Sequence, residues 1–202
     1  MSDLKVNTIG DSSGSGPVAT LPTSGGSAFT LGPNWGVMEF VSETSITAVT
    51  NLDVTSLVSG YDYIVGLFDA IPDTDGATIE ARFSQSASFL TGANYTDVGG
   101  SGATSITVNG LGTGSAAGEF MSGEWLLSNP GGTGNNKTIN NMFLQSIKSD
   151  GTMRSSGEFY GTGQSLGAYT LDQDAIDGVR FFCSSGDWEA NGTIRLFRRR
   201  LS

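Results

Sequence analysis

The chain has 202 residues, of which 30 are glycine and only 15% are charged, so it is poor in the residue types that build helices. This composition excludes a helical bundle, and no run approaches the ~18 apolar residues of a membrane-spanning helix, so we expect no membrane span. The net charge of −10 argues against a nucleic-acid partner, because binding to phosphate needs a basic surface. Histidine is absent, which removes the usual general base and metal ligand.

The only cysteine, Cys183, cannot form an intrachain disulfide or a cysteine-cluster metal site. It lies among bulky residues in a strand-like run, so we expect a buried, unreactive thiol. The N-terminus has no apolar segment of the secretion-signal kind. We therefore expect the protein to fold in a reducing cytoplasm. We also expect no cofactor.

Residues 1–33 are predicted to form an extended N-terminal arm. Leu4, Val6 and Ile9 alternate briefly, as in a strand, but residues 11–26 are rich in Gly, Ser and Pro and have almost nothing to bury. Such a segment cannot by itself offset the roughly 1–2 kcal/mol of backbone entropy lost per ordered residue. It is therefore either a floppy leader or a segment that a neighbouring chain orders, and the folded domain is predicted to span residues 34–202.

From residue 35 onward, short strand-type runs recur between turn residues. Asn109-Gly110, Asp150-Gly151 and Asn191-Gly192 are turn dipeptides, and residues 61–68 and 77–83 are predicted to pair as a hairpin around a polar connection. The spacing predicts an all-β, antiparallel β-sandwich that is jelly-roll-like. The predicted strands are residues 37–41, 45–52, 61–68, 77–83, 105–108, 124–128, 138–145, 152–160, 178–184 and 193–198.

The aromatic residues divide into a predicted core and a predicted surface. Trp35, Trp125, Phe181 and Phe182 are expected in the core. Tyr95, Tyr160 and Tyr169 lie near Gly-rich segments and are predicted to be exposed. Exposed tyrosines suit contact with a sugar or a protein, because the ring stacks and the hydroxyl hydrogen-bonds.

Two motifs imitate catalytic or nucleotide-binding signatures. The G-x-S-x-G pattern over residues 10–14 lacks a histidine to activate its serine. Residues 131–138 come within one residue of a phosphate-binding P-loop, but a strand-like run follows where a helix is required. We therefore predict a hairpin loop at residues 131–138 and no catalytic residue at either motif.

Asp69, Asp73, Asp75 and Glu80 form a small acidic cluster. Its spacing does not match the calcium-binding EF-hand loop, and a polar turn is the simpler interpretation. A surface Ca²⁺ site near Asp73 and Asp75 stays open, as does a carboxylate-based glycosidase.

The basic residues gather at the C-terminus, where Arg198, Arg199 and Arg200 follow Arg195. The simpler interpretation is a terminal strand with outward-facing cations. The alternative is that Arg198, Arg199 and Arg200 dock on an acidic surface of a neighbouring subunit.

The opening residues 4–9 and several later stretches, among them residues 61–84 and 175–186, resemble structural proteins of bacteriophages, especially marine and cyanobacterial ones. The opening residues 4–9 with their Ser/Gly run resemble the N-termini of tail-fibre proteins. Residues 61–84, 121–125 with Asn129-Pro130, and 175–186 with 192–196 look similar to segments common in phage structural proteins.

This resemblance implies a non-enzymatic virion protein, assembled in the host cytoplasm, that contacts other virion proteins and forms a homotrimer. Leu4, Val6 and Ile9 would attach it to the virion, and the exposed tyrosines would contact a host glycan or surface protein. A short tail fibre or adhesin is the first interpretation. A capsid-decorating protein, as a cement or head fibre, is the alternative, and a carbohydrate-active enzyme is a remote one.

Overall fold

The computed structural model describes residues 8–10, 17–20, 30–31, 38–93, 95–97, 100–134, 137–147, 152–155, 165–169 and 174–201. Every regular element within these residues is a β-strand, and no helix able to cross a membrane occurs among them. The strands are β1 (Thr8–Gly10), β2 (Pro17–Thr20), β3 (Thr30–Leu31), β4 (Glu39–Ser45), β5 (Asn51–Thr55), β6 (Tyr61–Ala70), β7 (Ala77–Gln85), β8 (Ser88–Phe89), β9 (Tyr95–Asp97), β10 (Gly100–Ala103), β11 (Ile106–Thr113), β12 (Met121–Leu127), β13 (Lys137–Ile147), β14 (Met153–Ser155), β15 (Ser165–Tyr169), β16 (Gly178–Cys183) and β17 (Thr193–Arg200).

Two sheets form the main body. The large sheet has nine strands in the order β10-β9-β15-β13-β12-β6-β17-β4, with β14 on β13, and the small sheet has five in the order β11-β7-β16-β5, with β8 on β7. All described pairings are antiparallel. The predicted all-β antiparallel sandwich is confirmed.

The hydrophobic core lies between the sheets. Trp125 of the large sheet stacks on Phe181 of the small sheet, with ring centroids 5.3 Å apart. Both side chains are fully buried, as predicted from the sequence. Phe182, also predicted in the core, lies on the opposite side of β16 and is half-buried under the Arg82 guanidinium, whereas Trp35 lies outside the described residues.

Strands β6 and β7 follow each other in the sequence but belong to different sheets. β6 pairs with β12 and β17, whereas β7 pairs with β11 and β16. The predicted hairpin between residues 61–68 and 77–83 is therefore wrong, since residues 71–76 cross from one sheet to the other. The alternation predicted both strands because each buries one face in the same core, but alternation carries no information about the pairing partner.

Other strand and turn positions predicted from the sequence also differ from the structure. Residues 46–50, predicted as part of a strand, connect β4 to β5 and contribute only an isolated bridge between Val49 and Trp188. Asn109-Gly110 lies inside β11 and is not a turn. Gly192 does turn the chain, with a φ of +83°, and Asp150-Gly151 lies outside the described residues.

Residue Met142 interrupts the alternation of β13. Trp125 pairs with Asn141 and Glu124 with Phe143, so Met142 is an extra residue of the bulge type. Before it the odd-numbered residues face inward, and after it the even-numbered ones do. Met142 and Phe143 are consequently both exposed, and Asn141 is fully buried.

The described parts of the predicted arm form a separate three-stranded antiparallel sheet in the order β1-β2-β3. These strands pair with one another, a local order that the composition of residues 11–26 did not predict. The boundary between an arm at 1–33 and a domain at 34–202 stays a prediction.

Candidate functional site

Strand β4, at one edge of the large sheet, is the most exposed strand whose burial is described. All seven of its residues are exposed. They include Phe40 at 57% and Val41 at 40% exposure, and Met38 beside them is exposed as well. A long edge strand with exposed apolar side chains offers unpaired backbone groups to another strand, which natural proteins usually prevent.

The acidic side chains of β4 do not protect this edge, because arginines of β17 neutralise them. Glu43 Oε2 accepts a hydrogen bond from Arg195 Nε at 2.5 Å, and Glu39 Oε2 accepts one from Arg198 Nε at 2.8 Å. The hydrogen bond from Arg198 lowers the pKa of Glu39, and the same contact raises the pKa of Arg198. The edge therefore has little net charge, although the whole chain is strongly acidic.

A cleft of about 180 Å³ opens beside β4, between the edges of the two sheets. Its walls are polar, from Ser42, Thr44, Asp53, Thr55 and Arg195, and its remaining lining residues are Val54, Ile194 and Leu196. Asp53 is already held by Arg180 in a two-point ion pair, with both contacts at 2.7 Å. Because 180 Å³ is well below the roughly 300–1,000 Å³ typical of small-molecule sites, the cleft fits a single side chain better than a large ligand.

The C-terminal arginines lie on β17, which runs between β4 and β6 in the sheet. Arg198 binds Glu39, and Arg199 binds Asp62 at 2.6 Å. Arg200 is exposed and forms no ion pair with any residue that the structure describes. Two of the three predicted docking residues thus have partners within the chain, and docking on another subunit stays a prediction.

Tyr95 is not a surface residue, so its predicted role as a host contact is wrong. Its side chain is 0% exposed, packs 6.2 Å from the Phe83 ring, and bonds through its hydroxyl to the backbone of Phe83 and Leu90. The Gly-rich neighbourhood suggested a loop, but the residue begins β9 and faces the core. Burial follows because the ring fills the space between the two sheets while its hydroxyl finds backbone partners.

The structure does not describe the side chains of the other predicted contact residues. Tyr160, Leu4 and Val6 lie outside the described residues. Tyr169 ends β15 and Ile9 is in β1, but only their backbones are described. Their proposed contacts with a host surface or the virion stay predictions.

Two of the four residues of the acidic cluster, Asp73 and Glu80, accept internal hydrogen bonds. Asp73 Oδ1 accepts from the backbone N–H of Asp187 and from the Thr74 hydroxyl, both at 2.9 Å. Glu80 Oε2 accepts from the Ser105 hydroxyl at 2.5 Å. Within the described part of the chain, no three acidic, cysteine or histidine residues come together as a metal site.

The region that resembles a P-loop connects two antiparallel strands, β12 and β13, as predicted. Lys137 is buried, and its ammonium donates to the carbonyl of Gly132, so the lysine is bound within its own loop.

Burial raises the pKa of the Cys183 thiol to about 12, with further contributions from the Asp73 and Asp187 charges. This burial agrees with the buried thiol that the sequence predicted.

Sequence reasoning missed three residues that connect separate segments of the chain. Trp188 is buried and bridges Val49 and Pro72. Asp62 is buried and accepts both from Arg199 and from the backbone N–H of Asn129. Asn129 has a φ of +40°, for which the Asn-Pro-Gly-Gly run was the available signal.

Comparison of the chain with models of known protein families and with characterised protein sequences gives no match.

Proposed function

We propose that the chain is a non-enzymatic structural protein of a bacteriophage virion, of the tail-fibre or adhesin type, attached through its N-terminal residues. The observation that carries the assembly part of this proposal is the exposed, charge-neutralised edge strand β4, which follows the predicted arm in the sequence. The virion context rests on the resemblance of residues 4–9 and of the later segments to phage proteins.

We also infer a jelly-roll topology from the strand order. Eight strands form two interleaved sets, β4-β17-β6-β12 in the large sheet and β5-β16-β7-β11 in the small sheet. The first strand thus lies beside the last, and the second beside the second to last, as in two nested Greek keys. This topology is frequent in viral capsid and lectin domains, although a fold alone does not fix a function.

The partner at β4 is taken to be a neighbouring copy of the chain, and the resemblance implies three copies. An acidic chain repels its own copies over most of its surface, but β4 and β17 bring Glu39 and Glu43 together with Arg195 and Arg198. Contact between copies therefore costs least electrostatically at this edge. Phe40 and Val41 supply apolar area to bury there.

Light scattering of the purified protein tests this interface. Val41→Lys puts a cation into the β4 edge, and Val58→Lys is the matched control, because Val58 is similarly exposed at 47% but lies in a loop. We expect trimers for the unmodified chain and the control, and monomers for Val41→Lys. An unchanged oligomer mass for Val41→Lys, with native circular dichroism, would show that β4 is not the interface.

A capsid-decorating protein is the second candidate, because the burial of Tyr95 removes one of the three proposed host contacts of an adhesin. A cement protein occurs in hundreds of copies per particle, whereas a tail fibre occurs in few. Quantitative mass spectrometry of purified particles separates the two. A chain that is missing from the particles altogether would contradict both.

A further inference from the structure

Asn141 and Trp125, on adjacent strands of the large sheet, are buried side chains with polar atoms that have no hydrogen-bond partner among the described residues; Trp188 Nε1 is a further such atom. Asn141 and Trp125 are both 0% exposed. Asn141 Nδ2, Asn141 Oδ1 and Trp125 Nε1 find no hydrogen-bond partner among the described residues. Because almost all buried polar groups in proteins are bonded to protein or to ordered water, these three atoms require a partner that is not among the described residues.

The strand pairing brings the two side chains together. Trp125 of β12 lies directly opposite Asn141 of β13, so both point to the same face of the large sheet. Directly opposed residues have Cβ atoms about 4.5–5.5 Å apart, which is close enough for one small molecule to contact both side chains. The bulge at Met142 comes directly after Asn141. Up to Asn141 the odd-numbered residues of β13 face inward, and after the bulge the even-numbered ones do, so Asn141 is the last inward-facing residue before the bulge.

The unpaired atoms define the chemistry of the ligand. The indole N–H only donates, whereas the carboxamide donates through Nδ2 and accepts through Oδ1. The ligand must therefore both accept and donate. An ion is disfavoured, since both side chains are neutral and a buried charge without a counter-charge is costly.

We propose that Asn141 and Trp125 form an internal hydration site that holds one or two water molecules inside the sandwich. A first water accepts from Trp125 Nε1–H and donates to Asn141 Oδ1, and Asn141 Nδ2–H is satisfied by the same water or by a second one. Buried waters typically make about three such bonds. The site holds Asn141 inward beside the bulge and so keeps Met142 and Phe143 on the outer surface.

Nuclear magnetic resonance of the full chain tests the proposal. The Trp125→Phe variant assigns the Trp125 Nε1–H resonance, and the measurement is its nuclear Overhauser cross-peak to water in the unmodified protein. Asn141→Leu should abolish this cross-peak. Asn140→Leu is the matched control, because Asn140 is the neighbouring, half-buried residue whose amide bonds to Thr138, and it should leave the cross-peak intact.

A high-resolution crystal structure of the unmodified protein provides the second readout, which does not depend on any variant folding. We expect ordered water within about 3 Å of Asn141 Nδ2 or Oδ1 and of Trp125 Nε1. A structure in which these atoms bond directly to protein groups, with no water between them, overturns the proposal. So does a Trp125 Nε1–H cross-peak to water that persists in folded Asn141→Leu.

Discussion

The hydroxyl of Tyr95 accepts a hydrogen bond from the backbone N–H of Phe83 at 3.0 Å and donates one to the backbone carbonyl of Leu90 at 3.1 Å. Tyr95 belongs to β9 of the large sheet, and Phe83 to β7 of the small sheet. One phenol therefore ties the two sheets together, by its ring and by its hydroxyl.

Tyr95→Phe should lower the free energy of unfolding by about 1–3 kcal/mol, because it leaves the backbone N–H of Phe83 without its buried acceptor. Urea denaturation measures this change. Tyr61→Phe is the control: Tyr61 is half-buried and its hydroxyl forms no hydrogen bond within the described residues, so the variant should unfold like the unmodified chain. Equal stability of the two variants would mean that the Tyr95 hydroxyl does not support the fold.

Gly192 and Gly60 have nearly the same backbone conformation, with φ of +83° and +81°, in different surroundings. A Cβ at Gly192 would collide with the backbone carbonyl oxygens of Phe68 and Asp69, whereas a Cβ at Gly60 would meet nothing within 4 Å. Gly60→Ala should therefore cost only the conformational penalty of about 1 kcal/mol, and Gly192→Ala several kcal/mol more. Thermal denaturation of both variants measures the difference. Similar melting temperatures for the two would refute the close approach at Gly192.

The turn between β7 and β8 uses two residues poorly suited to it. Ser86 and Ala87 form a two-residue hairpin loop, and both have positive φ, at +50° and +60°. Loops of this type favour glycine, so Ala87→Gly should raise the free energy of unfolding by roughly 0.5–1 kcal/mol. Ala190→Gly, at an exposed loop position whose φ is not positive, should lower it slightly. If the denaturation midpoint falls for both Ala87→Gly and Ala190→Gly, the positive φ of Ala87 is contradicted.

Cys183 should resist thiol reagents in the folded state, because burial raises its pKa to about 12. At pH 8 we expect negligible labelling by a disulfide reagent in buffer and complete labelling in denaturant. Rapid labelling of the folded protein would contradict the burial.

The same pKa makes the contribution of Cys183 to stability depend on pH. A thiol whose pKa is raised on folding contributes fully below its unfolded pKa, near 9, and this contribution is lost as the pH rises towards 12. The free energy of unfolding should therefore fall above pH 9, and less so in Cys183→Ala. The two proteins are compared by denaturation at pH 8 and pH 10.

Fold class and core were predictable because they depend on local signals. Alternating apolar residues identified most of the strands in the two main sheets, and Trp125 and Phe181 were recognised as core. The pairing was not predictable, since the partners of β6 and β17 are distant in sequence and both strands look alike in their alternation. Tyr95 was misjudged for the same reason: its partner, the N–H of Phe83, reaches it only through the packing of two sheets.

The position of β4 as an exposed edge strand was also hidden from the sequence. β4 was predicted approximately, at residues 37–41, but nothing local indicates that it is an edge strand. Glu39 meets Arg198 and Glu43 meets Arg195 only because the C-terminal strand lies beside β4. The basic C-terminus was noticed, yet its partners could not be assigned without this topology.

Hydrogen exchange of the β4 backbone amides in purified phage particles, compared with the free chain, tests most directly whether the protein works by assembling through this edge. In the free chain, only the amides that bond to β17 should be protected. If the chain assembles through β4 in a virion, as proposed, residues 39–45 should all become protected in the particle. If the outward-facing amides of β4 exchange as fast in the particle as in the free chain, assembly does not use this edge.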